Sequence, residues 1–213
     1  MNFEMMKVCA YLGRKWMLNE YERQYWPSLV AGLDEAGRGP LCGPLTVGIV
    51  VFPPFYENDE INDSKKLSEK KREKLFEVIK NDALYYDIKI VVPTEIDELN
   101  IYRATKKAME ELANKAKAEI ILSDAMPLNI NKETISIIKG DSKSISIAAA
   151  SILAKVTRDR IMEEYDLIYP EYGFKKHKGY PTKAHLEALN KYGVLDIYRK
   201  TYGPVKALLN QGK

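Results

Sequence analysis

The apolar positions come in short runs broken by Pro, Gly and charge, a pattern that points to strands alternating with helices. In residues 1–28, Trp16, Leu18, Tyr21, Tyr25 and Trp26 can share one face of a helix that Pro27 ends. Residues 29–33 read as a buried strand. Residues 45–52, rich in Val and Ile, read as a second strand, stopped by Pro53-Pro54. A polar loop leads to Ser68, a candidate N-cap, and the helix after it aligns Leu75, Val78 and Ile79. Residues 84–92 form a third strand closed by Pro93. Thr94, with Asp97 three residues on, resembles a capping box that opens a helix facing Ile101, Ala108, Met109 and Leu112 inward. Residues 119–123 and 135–139 are two more short strands. A long helix is expected over 144–165; its small apolar start, residues 145–154, must be almost wholly buried. Helical stretches near 182–191 and 204–210 follow. Strands first, then helices alternating with strands, predict an α/β fold with a mixed sheet flanked by helices.

Composition narrows this picture modestly. With 213 residues the chain can build a substantial core, and one domain is the default, with a small helical appendage. The net charge of +3, from 33 basic and 30 acidic residues, does not by itself mark a nucleic-acid binder. Basic clusters at Lys65-Lys66, Lys70-Lys71-Arg72, Lys175-Lys176-His177-Lys178 and Arg199-Lys200 each read first as solvated helix faces. Cys9 and Cys42 form neither a metal-spaced pair nor a disulfide framework, which suits a reducing cytoplasm. No apolar run is long enough to span a membrane, and no signal-peptide core is expected.

Chemistry concentrates at the strand ends. Asp34 and Glu35 follow residues 29–33, Asp124 follows 120–123, and Asp141 follows 137–140 just before the buried helix. Convergence of these ends at one sheet edge would gather four carboxylates, which repel strongly unless cations sit among them. Oxygen donors without a Cys or His cluster favour Mg²⁺ or Mn²⁺ over Zn²⁺. Two such ions about 4 Å apart activate water and stabilise the leaving oxygen of a phosphodiester. Gly37-Arg38-Gly39 lets backbone N–H groups and a guanidinium approach an anion in the same turn.

Each residue also has a plainer reading. Asp124 can be a turn residue and Asp141 a helix cap. Arg38 can be a turn arginine in a surface ion pair, and Tyr180 a loop anchor before a helix. His185 reads as an ordinary helix residue, and Lys65 either contacts phosphate or is merely solvated.

Four blocks carry a family resemblance. Gly32-Leu33-Asp34-Glu35-Ala36-Gly37-Arg38-Gly39-Pro40-Leu41 resembles the opening motif of bacterial ribonuclease HII, the type 2 ribonuclease H. Asp63-Ser64-Lys65-Lys66-Leu67 matches the second block. Lys139-Gly140-Asp141-Ser142 with the run from Ser146 to Asp159 matches the third. Tyr172-Gly173-Phe174 through His177-Lys178-Gly179-Tyr180-Pro181-Thr182 is similar to the fourth, so the match covers roughly residues 20–207 in family order. Cys42 stands where many relatives have alanine, and Asp124 lies in a variable stretch.

The resemblance implies a ribonuclease H-like fold: a mixed five-stranded sheet, flanking helices and a C-terminal helical part. In that layout residues 1–28 are an extension packed on the body, 29–165 the catalytic core and 166–213 a substrate-binding part. It implies divalent-metal hydrolysis of RNA paired with DNA and cutting 5′ to ribonucleotides embedded in duplex DNA, leaving 3′-hydroxyl and 5′-phosphate ends. The family's acids map onto Asp34, Glu35, Asp124 and Asp141. Gly37, Arg38 and Gly39 map onto its reader of the ribose 2′-OH, aided by Tyr180. Lys65, Lys143 and the basic residues of the tail would hold phosphates. A monomer is the default. The residues Leu208-Leu209-Asn210-Gln211 suggest a replication-clamp contact only weakly. Three rivals lack part of this set: a hybrid binder has no use for four acids, a DNA nuclease or phosphatase none for the Gly-Arg-Gly and tyrosine, and a phosphoacceptor domain needs a parallel doubly wound sheet.

Overall fold

The computed structural model describes residues 18–211; Trp16 lies outside them, and from Leu18 to Trp26 the expected helix is reduced to the single turn Glu22–Tyr25. A short helix, α1 (Glu22–Tyr25), leads into strand β1 (Val30–Ala36), which turns through 37–44 into β2 (Leu45–Val51). Helix α2 (Glu69–Asp82) starts at the Ser68 cap, whose side chain accepts from the Lys71 N–H. It is followed by β3 (Tyr85–Val91), α3 (Pro93–Leu99), α4 (Ile101–Lys115), β4 (Ile120–Asp124) and β5 (Glu133–Ile137). The long α5 (Ile145–Ile168) leads to α6 (Phe174–His177), α7 (Lys183–Tyr192) and α8 (Gly203–Gln211).

The strands form one mixed sheet in the order β3-β2-β1-β4-β5. The β1–β2 and β2–β3 pairs are antiparallel, and β1–β4 and β4–β5 are parallel. Strand alternation sends Leu33, Val47 and Ile49 to one face, where α4 covers them with Ala108, Met109 and Leu112. The other face meets α2 and α5, where Leu75, Ile79, Ala149 and Ile152 pack with Val50. The helix α5 lies unusually close to the sheet. A Cβ on Gly32 would stand 2.1 Å from the Ser146 carbonyl carbon, and one on Gly48 would stand 2.5 Å from the Ala150 carbonyl oxygen. Two glycines on adjacent strands and small residues on the helix thus set the spacing between β1 and the start of α5. A third apolar cluster joins Leu41, Cys42 and Met162 to the tail residues Tyr172, Phe174, Leu189 and Tyr198. Among the described residues no helix is long and apolar enough to cross a membrane.

Several expected boundaries shift for local reasons. Strand β1 continues through Asp34 and Glu35 to Ala36, because β2 pairs with it as far as Ala36↔Thr46. Pro93 opens a helix instead of only closing a strand, its missing N–H being harmless at the first helical position. The Thr94–Asp97 capping box does not form. Asp97 instead accepts from the backbone N–H groups of Lys200 and Thr201. Asn100, with φ of +65°, breaks the expected single helix in two, and its side chain caps α4 through the Arg103 N–H. The long helix begins at the Ser144 cap, so Asp141 is not a helix cap.

Candidate active site

The parallel pairing of β1, β4 and β5 brings three acids to one sheet edge. Leu33 pairs with Ser123 and Asp124 with Ile137, so Asp34 and Asp124 emerge side by side at the carboxyl ends of neighbouring strands. After β5 the chain turns at Lys139, which adopts the left-handed conformation, and a single turn over Gly140–Ser142 returns Asp141 to the same edge. The Gly140 N–H donates to Asp124 Oδ1 at 2.7 Å and ties that turn to β4. Asp34, Asp124 and Asp141 each present a carboxylate oxygen, all within 4.8 Å of one another. Asp34 and Asp141 are buried and Asp124 is half-buried.

Glu35 stands apart from this triad. Alternation along β1 turns it to the opposite face from Asp34, yet it lines the same cleft. Its Oε1 lies 3.4 Å from an Arg38 guanidinium nitrogen, and its Oε2 is buried with no hydrogen-bond partner. Burial, then the charges of Glu35 and Asp124, hold the Asp34 carboxyl well above the usual carboxylate range. Burial also raises Glu35, with Arg38 opposing, and it raises Asp124, with the Gly140 N–H opposing and Asp141 reinforcing. Lys65 reaches in from an otherwise exposed side chain to place its Nζ 3.3 Å from Asp141 Oδ2. Burial works against its charge, but Asp141, Asp34 and Asp63 together outweigh that and raise its pKa. Lys65 and Arg38 are two cations against four carboxyl groups and do not balance them. The all-oxygen donor set, the mutual repulsion and the orphaned Glu35 oxygen fit a hard divalent cation.

The opposite wall of the cleft is the 37–39 turn. Gly37 has φ of +99°, and a Cβ there would stand 2.2 Å from Arg158 Nε, so no other residue fits without displacement. Gly39 lies against the Tyr180 ring, with 3.3 Å from its ideal Cβ to Tyr180 Cε1. The ring itself is 45 % exposed and so is available to a ligand.

The Tyr180 backbone is tied by His185, whose imidazole stacks on that of His177 with ring centroids 4.2 Å apart. His185 Nδ1 is 2.9 Å from the Tyr180 carbonyl, and its Nε2 is 2.7 Å from the Tyr198 hydroxyl. That pairing fits a neutral ring donating from Nδ1 and accepting at Nε2. Burial pushes His185 down to about 4. His185 is therefore a buried structural tie at the start of α7, where an ordinary helix position was expected. Arg199 is a second correction: the expected solvated basic residue is fully buried. Lys143 is exposed and does not line the cleft. Ser151, Lys155 and Arg158 do line it, at successive four- and three-residue steps along α5. Their four- and three-residue spacing, which puts them on one helix face, was the signal that could have found them.

A family model described as Ribonuclease HII matches residues 31–203. Ribonuclease HII of Clostridioides difficile is 57% identical over 176 residues, covering 81% of this chain and 69% of that protein. The crystal structure of ribonuclease H2 from Pyrococcus horikoshii superposes with a TM-score of 0.72 at 31% identity, covering 86% of this chain and 98% of that one. The ribonuclease HII in the PCNA complex from Archaeoglobus fulgidus gives a TM-score of 0.70 at 28% identity, covering 82% of this chain and 95% of that one.

Proposed function

The chain belongs to the ribonuclease HII family and is a ribonuclease H acting on RNA–DNA duplexes, and from that premise we propose that it also cuts 5′ to single ribonucleotides embedded in duplex DNA. The observation that carries this reading is the shape of the cleft. One wall holds Asp34, Asp124 and Asp141, and the other holds Gly37–Gly39 beneath Tyr180. Acids alone would suit a general phosphodiesterase; a backbone-lined wall beside them suits the sensing of one hydroxyl, the group that separates RNA from DNA.

In this reading Asp34, Asp124 and Asp141 would hold Mg²⁺ or Mn²⁺, with Glu35 beside Arg38 as a further oxygen donor. Two bound ions would supply activation of water and stabilisation of the departing 3′-oxygen. The chain's own residues do the rest. The Gly37–Gly39 backbone takes the 2′-OH, Tyr180 presses on the sugar next to the junction, and Lys65 holds a phosphate across the acid cluster. The rigid spacing of β1 and α5 keeps the acids in register with the phosphodiester. The products carry 3′-hydroxyl and 5′-phosphate ends. The setting is the cytoplasm and the acting unit a monomer. Leu208, in the tail segment that weakly suggests a clamp contact, packs against the tail cluster.

The test is a labelled DNA duplex holding one ribonucleotide, incubated with Mg²⁺, with Mn²⁺ or with chelator. Metal-dependent cutting immediately 5′ to the ribonucleotide is expected, with an all-DNA duplex left intact. Cutting confined to longer RNA stretches would discard the role given to Gly37–Gly39 and Tyr180.

A further inference from the structure

The turn that forms the reading wall is held largely through its carbonyls, and one side chain holds four of them. Arg199 comes from the segment between α7 and α8. Its Nη2 donates to the carbonyls of Gly37 at 2.6 Å and Gly43 at 3.0 Å. Its Nη1 reaches the carbonyls of Arg38 at 3.1 Å and Pro40 at 2.9 Å and the Tyr202 hydroxyl at 3.1 Å, and its Nε lies 3.2 Å from the Gly43 carbonyl. The Tyr202 hydroxyl in turn donates to the Arg38 carbonyl at 2.8 Å. Every arm of the guanidinium fork is engaged, and Arg199 has no exposure to solvent.

The consequence follows from peptide geometry. In a planar trans peptide the N–H of one residue points opposite to the carbonyl of the residue before it. The links after Gly37 and Arg38 are trans. Turning the Gly37 and Arg38 carbonyls inward onto Arg199 therefore turns the N–H groups of Arg38 and Gly39 away from it, and both residues line the cleft. Among the described residues neither N–H meets an acceptor. The next carbonyl obeys the same rule: Pro40 faces Arg199, and the Leu41 N–H points away to the Gly179 carbonyl.

We propose that Arg199, backed by Tyr202, is a positioning residue for substrate selection. By gathering the 37–43 carbonyls it aims the Arg38 and Gly39 N–H groups at the ribose hydroxyl. This rests on the 2′-OH reading given above. It gives the C-terminal segment a part in telling RNA from DNA although Arg199 never touches the substrate. Lysine cannot reproduce the effect, because three donors on one nitrogen cannot span carbonyls fixed in a planar fork.

The test compares two affinities in a cleavage-deficient Asp34→Asn background: for a DNA duplex carrying one ribonucleotide, and for the same duplex in all-DNA form. The background is expected to prefer the ribonucleotide. Adding Arg199→Lys should bring that preference to within about twofold of none, and adding Tyr202→Phe should cut it about threefold, the scale of one misdirected hydrogen bond. A purely structural role would lower the melting temperature and the active fraction but leave the ratio of the two affinities unchanged. A cooperatively folding Arg199→Lys protein that keeps the full preference would overturn the proposal. If that variant does not fold, an unchanged ratio in Tyr202→Phe overturns it instead. Absence of any preference in the Asp34→Asn background would remove the hydroxyl reading itself, and the role of Arg199 with it.

Discussion

Asp34 and Arg199 are both buried charges at the edge of one cleft, and the fold provides for them in opposite ways. Asp34 is 4% exposed and has Glu35 and Asp124 as like-charged neighbours, so burial and repulsion both work against its ionised form. Arg199 is also buried, which pushes its pKa down, but backbone carbonyls and a hydroxyl take its donors. Arg158 repeats the pattern, donating to the carbonyls of Pro44, Cys42 and Lys178. The acid wall carries a charge that its protein neighbours do not balance, while the buried guanidinium groups behind the reading wall are satisfied within the chain. The difference separates two jobs. A site that must attract cations keeps its repulsion, and a wall that must hold a fixed shape spends its buried charge on hydrogen bonds.

The sharpest way to break this contrast is Asp34→Asn. Cleavage should fall below detection, yet with chelator present the variant should be about 1 kcal/mol more stable than the parent, because one of several repelling buried charges is gone. Activity near the parent's, or a clear loss of metal-free stability in a melting experiment, would remove Asp34 from the unbalanced set.

Next in size is Gly32→Ala. Its Cβ would have to displace the α5 backbone at Ser146, which should cost about 3 kcal/mol in denaturant unfolding and lower activity with it. Gly203→Ala is the control: nothing lies within 4 Å of a Cβ there, so stability should change by less than about 0.5 kcal/mol. Equal effects of the two substitutions would contradict the close strand–helix spacing.

The reading wall has its own pH signature. His185 is neutral in the fold, with a pKa lowered to about 4, whereas an unfolded histidine takes up its proton near 6.5. Its stabilising bonds are thus fully present above about pH 6.5 and are lost as pH falls toward 4, a change of up to about 3 kcal/mol. His185→Asn should flatten this part of the stability profile. An unchanged acid limb in that variant would show that the imidazole is not the titrating group.

Smallest is Tyr180→Ala, which removes a ring but no buried bond. Cutting at an embedded ribonucleotide should fall about tenfold, the value of one stacking contact, with melting temperature little changed. An unchanged rate would deny the ring any contact with substrate.

The two walls also differ in how far they could be read from the sequence. Asp34, Asp124 and Asp141 each follow an apolar run, so strand ends that meet at a sheet edge bring them together from local pattern alone. The five-stranded mixed sheet and its helices were legible for the same reason, in the run lengths and the Pro and Gly between them. Glu35 separates from the triad because β2 extends the pairing past it, and strand pairing is not a local property. Locally, Arg199 reads as half of a solvated basic pair, since nothing near it in sequence shows that its donors meet a carbonyl 162 residues away. His185 hides likewise inside an unremarkable helical segment, its tie to Tyr180 visible only in three dimensions. Asp97 resembled a cap locally but is taken by the tail at Lys200 and Thr201. In each of these cases a tertiary partner outcompeted the local one.

Calorimetric titration of Mn²⁺ into the parent protein and into Asp34→Asn, with no nucleic acid present, tests the unbalanced acid wall most directly. Saturable binding to the parent is expected, with a melting temperature that rises with metal and affinity at least about tenfold weaker in Asp34→Asn. Equal binding to both proteins, or none to the folded parent, would contradict it.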